Sequence, residues 1–286
     1  MIAFIAPTNA LACATCMIGD PTLTTMGAEQ PFAERLRMAA EFKHRTDTVG
    51  ATGQGQTSLS EQRLAFSVAY APLDWLMMSA QLPVLWRTVE YENLAKDNHF
   101  GLGDLELRAR LVFFEDRELA PRHLIAAIVG SRLPTAPIRT SDDGQRAPPE
   151  LQPGAGAIAP FVGFSYSGFA GDWSGFVSST LIYPQEYGDG NQASLSLSTT
   201  AMLQLQPWRM LGFRLGIDTR LDGTAQENGA PEPDSGGFIA FLTPGLVLSP
   251  VTDLVINAAV YIPTLNLLDG YHKEGPSIAL GVSYDL

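Results

Sequence analysis

The chain has 286 residues and is acidic, with 30 Asp and Glu against 18 Lys and Arg and a formal net charge of −12; a basic footprint for nucleic acid is therefore absent. Charged residues are only 17% of the chain, low against about 25% for a soluble domain. No apolar run approaches the roughly 18–20 residues of a spanning helix, which excludes a polytopic helical membrane protein but leaves a membrane β-barrel open.

Residues 1–12, MIAFIAPTNALA, are apolar and end in Ala10-Leu11-Ala12, an A-x-A cleavage pattern directly before Cys13. The positive n-region is missing and Pro7 breaks the run. The expectation is a secretory signal whose start lies upstream of Met1, the plain alternative being an ordinary N-terminus. Residues 13–33 then form a Cys-containing periplasmic arm. Its two cysteines, Cys13 and Cys16, are the only ones in the chain. Position 17 is Met, whereas c-type haem attachment needs His there. Zinc needs more ligands than this stretch supplies, and His44, His99, His123 and His272 offer no second pair at ligand spacing. Three readings stay open: a Cys13–Cys16 disulfide in an oxidising periplasm, copper or another soft metal on Cys13, Cys16 and Met17, or lipidation of Cys13.

From residue 34 the dominant period is two. In 34–46, Leu36, Met38, Ala40 and Phe42 fall on one face and Arg35, Arg37, Glu41, Lys43 and Arg45 on the other. Segment 104–114 sorts Leu105, Leu107, Ala109 and Leu111 from Asp104, Glu106, Arg108 and Arg110. Segments 193–206, 210–222 and 276–286 sort in the same way. Alternation this sustained means strands with one apolar and one polar face, because a helix would scatter these residues around its cylinder. Twelve such segments fit: 34–46, 60–71, 75–88, 103–114, 123–135, 155–167, 172–184, 193–206, 210–222, 237–249, 253–264 and 276–286. Ordinary strands run about 5–6 residues; a tilted membrane strand needs about 9–11, and most of these are longer still. Connections alternate between mostly short (72–74, 115–122, 168–171, 207–209, 250–252) and mostly long and polar (47–59, 89–102, 136–154, 185–192, 223–236, 265–275). A barrel with both ends in the periplasm predicts that parity.

The reading is an all-β, closed, antiparallel up-and-down transmembrane β-barrel of about 12 strands spanning 34–286. Its apolar face meets outer-membrane lipid. Trp75, Trp173, Trp208 and Tyr70 are expected in one aromatic girdle, and Trp86, Tyr91, Tyr183 and Tyr261 in the other. Segments around Phe161, Phe176, Phe241 and Val255 are apolar on both faces, which leaves their register open. Pro83, Pro134, Pro160, Pro184, Pro244 and Pro263 each remove a ladder donor and are expected at bulges or rims.

Arg35, Arg37, Lys43, Arg45, Arg63, Arg108, Arg110, Arg132, Arg214 and Arg220 fall on inward faces. A charged lining biases a pore by sign, so one reading is an anion-favouring lumen. The other is internal pairing with Glu41, Asp104, Glu106 and Asp218, the usual remedy for charge in a narrow interior. Acid such as Asp47, Asp222, Glu232 and Glu274 is assigned to the long outer loops, where solvated charge is expected rather than a cation site. An enzyme is not expected: His44 is the only histidine placed within a strand, Ser67 and Ser79 face inward without an acid–base partner, and no strand-to-helix nucleophile elbow exists.

The stretches FGLGDLELRARLVFF (100–114), APLDWLMMSAQLPV (71–84) and SRLPT (131–135) resemble outer-membrane transporter proteins grouped with the meta-pathway of phenol degradation. The resemblance implies a channel or uptake protein in the outer membrane of a Gram-negative-type bacterium. It supplies no catalytic residue and names no solute. The functional expectation is passive or facilitated diffusion of a small solute. The alternative is a non-conducting barrel that binds or scaffolds, with its C-x-x-C arm contacting a periplasmic metal or redox partner. A soluble secreted β protein is the third option.

Overall fold

The computed structural model describes residues 34–50, 56–93, 95–117, 121–139, 152–188, 190–232 and 235–286. The signal boundary and the arm bearing Cys13, Cys16 and Met17 lie outside them. Strands follow in chain order: β1 (Leu36–Val49), β2 (Thr57–Leu73), β3 (Leu76–Tyr91), β4 (Lys96–Leu102), β5 (Leu105–Glu115), β6 (His123–Leu133), β7 (Ala159–Ala170) and β8 (Trp173–Ile182). Then come β9 (Ser196–Leu205), β10 (Leu211–Asp222), β11 (Gln226–Glu227), β12 (Ala230–Pro231), β13 (Gly237–Val251), β14 (Leu254–Leu268), β15 (Lys273–Glu274) and β16 (Ser277–Asp285). Long strands pair antiparallel with their chain neighbours, and β1 pairs with both β2 and β16. That closes a 12-strand barrel in which β4 and β5 form one interrupted strand. The seam is tight: the Leu286 amide donates to the Leu36 carbonyl at 2.8 Å. Closure removes the unpaired edges that an open sheet would expose.

The alternating residues separate as the period requires. Phe66, Val162, Leu215 and Leu280 are half or more exposed on the outside, whereas Ser67, Ser165, Asp218 and Ala279 are buried inside. One end carries tight turns, such as Asp74–Trp75 and Thr252–Asp253. Gly171 turns β7 into β8 at φ +61°, a conformation that costs glycine nothing. In the β5–β6 turn the Asp116 carboxylate accepts the amides of Arg122 (2.7 Å) and His123 (2.9 Å). These bonds, the His123 amide foremost, hold its pKa below the usual carboxylate value.

The interruption at 103–104 has a local cause. Pro83 lies between Gln81, which pairs with Glu106 of β5, and Val84, which pairs with Leu102 of β4. With no amide hydrogen to give, Pro83 breaks the ladder there, and its carbonyl instead accepts the Gly103 amide at 2.8 Å. Above the break, β4 pairs with β3 alone among the described strands. Pro263 sits opposite Phe241 at a register shift between β13 and β14.

Several expectations need correction. Stretches 89–102, 223–236 and 265–275, read as loops, contain β4, the β11–β12 hairpin and β15. Asp47, Asp222 and Glu274, assigned to solvated loops, are buried at the long-loop end. Tyr261 turns inward with 2% exposure rather than joining a girdle, and Tyr91 packs on the buried pair Leu59 and Val89. Trp86, Tyr183, Trp75, Trp173, Trp208 and Tyr70 are exposed near strand ends.

A charged lumen as the candidate functional site

At the long-loop end, arginines and carboxylates interlock. Arg45 reaches Asp47 at 3.2 Å and Glu61 at 3.1 Å. Glu61 also accepts from Arg87, and Arg87 donates to the Gln152 carbonyl. From β10, Arg220 pairs with Asp222 at 2.6 Å and with Glu274 of β15. These groups are all nearly excluded from solvent. Burial pulls the neighbouring loop residue His272 below its ordinary pKa, so it is neutral at pH 7 and adds no cation. The segment entering β7 folds inward onto this layer. Gln152 is anchored by bonds to both backbone groups of Arg139, at 3.0 and 2.9 Å. Asp104 accepts the amides of Ala155 (2.7 Å) and Ala136 (3.2 Å). Asp104 therefore pins a loop at the strand break; among the described residues it makes no ion pair with an arginine, contrary to the internal-pairing reading.

Half-way down, one wall is charged. Glu106 accepts from Arg108 at 2.9 Å and from Arg132 at 3.0 Å. The Arg108 guanidinium lies 5.1 Å from the Phe161 ring centre; a Cβ at Gly130 would clash with the Leu107 carbonyl and with that ring. Arg110 is buried beside them. Lys43 and Arg63 face each other on β1 and β2, with Glu41 on the same face. The wall opposite is made of hydroxyls: Ser165, Ser178, Thr180 and Thr200 are buried along β7, β8 and β9. Asp218 binds that wall, accepting from Thr200 and Thr243 at 2.5 Å each. Beside it Ile239, Phe241, Tyr261 and Ala279 form an apolar cluster.

At the short-turn end lies a cavity of about 430 Å³ lined by Arg37, Gln204, Arg214, Phe176 and Asp285 among others. Arg214 donates to Gln204 at 2.6 Å. Arg37 is clamped by Asp285 through Nε and, at 2.6 Å, through Nη2. Arg35 bonds the same carboxylate at 3.1 Å.

Of the charged residues expected to face inward, Arg45, Glu106, Arg110, Arg132, Asp218 and Arg220 are buried, whereas Arg35 is exposed at the short-turn end. Absent from the expected lining are Glu61, which pairs with Arg45 and Arg87, and Asp285, which pairs with Arg35 and Arg37. Glu61 and Asp285 do lie on the polar faces of their segments, so period two held the signal. Which arginine each one meets depends on cross-strand register, which a single strand does not encode. Among the described residues no cluster of three His, Cys, Asp and Glu side chains is placed to hold a metal.

No family model matches the chain, and no curated protein does. Solved structures do. An outer-membrane channel from Pseudomonas putida F1 superposes with a TM-score of 0.71 at 16% identity, over 91% of this chain and 98% of that one. A monoaromatic hydrocarbon channel follows at 0.49 and 12% identity, over 94% and 97%. The translocator domain of an autotransporter from Neisseria meningitidis stands at 0.49 and 12%, over 91% of each chain. At these identities the likeness establishes the barrel fold, and the first match carries it.

Proposed function

We propose that this protein is an outer-membrane channel through which small solutes pass by passive or facilitated diffusion, without chemistry on the solute. The observation that supports it most directly is the division of the barrel wall. The outside is an apolar belt suited to lipid, and the inside is a polar, arginine-bearing lining with a cavity of about 430 Å³ at the short-turn end. Charge lining a pore selects by sign. The grouping with phenol meta-pathway transporters remains a resemblance of sequence.

The ion-paired layer beneath the long loops favours a second reading, a barrel that binds or scaffolds without conducting. Reconstitution of the full chain into planar bilayers separates them. Discrete conductance steps support the channel. A folded, inserted barrel that stays silent across the voltage range contradicts it.

A further inference from the structure

Lys43 and Arg63 stand directly opposite each other on adjacent strands, an arrangement in which like charges repel. Their row neighbours are Ala279 on one side and Leu85 on the other, so the row contains no counter-charge. Elsewhere on this wall Arg37, Arg45, Arg87, Arg108 and Arg132 each hold a carboxylate within ion-pair distance. Arg63 does not: among the described residues it makes no ion pair and no hydrogen bond. Glu61, Glu106 and Glu41 act on it only from a distance, and Arg132 opposes them. Both Lys43 and Arg63 keep partial access to the lumen.

The flank of this pair is apolar. The Lys43 ammonium lies 4.2 Å from the centre of the Tyr261 ring. Phe241 meets that ring edge-on at 6.4 Å between centres, and Ile239 packs behind. Lys43 thus stands between the Arg63 guanidinium on one side and an aromatic wall on the other, which suits a particular ligand chemistry. The planar guanidinium presents two parallel donors to a carboxylate, while the aromatic wall accepts an apolar body that a small inorganic ion lacks.

We propose that Arg63 and Lys43 form a station in the lumen for a small organic carboxylate with an apolar or aromatic body. Arg63 binds its two oxygens, Lys43 supplies a second positive charge, and the Tyr261 side of the lumen takes its body. Glu41, the carboxylate on the same strand face, limits the station to weak, reversible binding, as a transport route requires. The path by which the ligand arrives rests on the channel reading; the station itself does not.

Benzoate is the probe, with benzamide as its uncharged match, each titrated calorimetrically into the detergent-folded full chain. Saturable benzoate binding with no benzamide binding is expected. Arg63→Gln should weaken benzoate about tenfold, the size of one charge-assisted contact, with Arg63→Lys falling between. Lys43→Gln is the second variant, and heat-dependent gel migration checks that each barrel is folded. In bilayers under a KCl gradient, the reversal potential should favour chloride and move toward zero in Arg63→Gln. Equal binding of benzoate and benzamide, no benzoate binding by the folded wild type, or wild-type affinity in both variants would overturn the station. A barrel that binds benzoate but never conducts overturns the channel and leaves the station standing. One that conducts but does not bind does the reverse.

Discussion

Glu61→Gln is the most informative single change to the architecture. Glu61 is 4% exposed and holds two guanidinium groups whose side chains are 6% and 2% exposed. Asp47, 3.2 Å from Arg45, still pairs with that arginine after the loss of Glu61. Removing one partner of a buried ion pair costs about 3–5 kcal/mol. Glutamine keeps one acceptor oxygen, worth about 1 kcal/mol, so the net loss should be about 3 kcal/mol. Because Arg87 also holds the Gln152 carbonyl, the same change frees the segment folded into the lumen mouth and should raise conductance. Reversible urea unfolding of the detergent-folded barrel, followed by tryptophan fluorescence, measures the loss. Adding Arg87→Gln removes one of the two charges that Glu61 holds and should recover about 1–3 kcal/mol through the coupling of neighbours. A Glu61→Gln barrel within about 0.5 kcal/mol of the parent would show that the layer is solvated and loose, and would refute the reasoning.

Three further changes test other links. Leu215 is 54% exposed on the outer face, so Leu215→Arg should destabilise the barrel by about 2–4 kcal/mol if that face meets the bilayer interior, measured by unfolding in lipid vesicles; a neutral result would place the residue outside the lipid belt. Gly130→Ala sets a methyl against both the Leu107 carbonyl and the Phe161 ring and should cost at least about 1–3 kcal/mol as overpacking, with displacement of the Phe161 ring from Arg108 visible in a crystal structure. Asp104→Ala orphans two amides, each worth about 1–3 kcal/mol, and should expose 152–158 to protease while the strands stay protected.

Strand faces were legible because lipid and lumen impose opposite polarities on successive residues, and that alternation survives without knowledge of any partner. Arg37, Lys43, Arg108 and Arg214 could be aimed inward on this ground alone. Rim positions were not legible. Asp47, Asp222 and Glu274 look like solvated loop acid in sequence, since a charged residue beside Gly and Thr carries no mark of the arginine that will bury it. Tyr261 misled for a related reason: β14 is apolar on both faces, so period two says nothing about which side an aromatic takes. The broken strand was within reach. Pro83 in one strand and Gly103-Asp104 in the next are both ladder breakers, but only register sets them side by side.

The central claim is a closed barrel whose outer face is solvated by lipid. The most direct test expresses the chain behind an export signal, fractionates the cells, and compares unheated with boiled outer-membrane samples on a gel. The account predicts a band in that fraction whose migration changes on boiling, as a detergent-resistant closed barrel unfolds. A band in the buffer-soluble fraction with no heat shift would contradict it, and would assign the alternating faces to a soluble β protein.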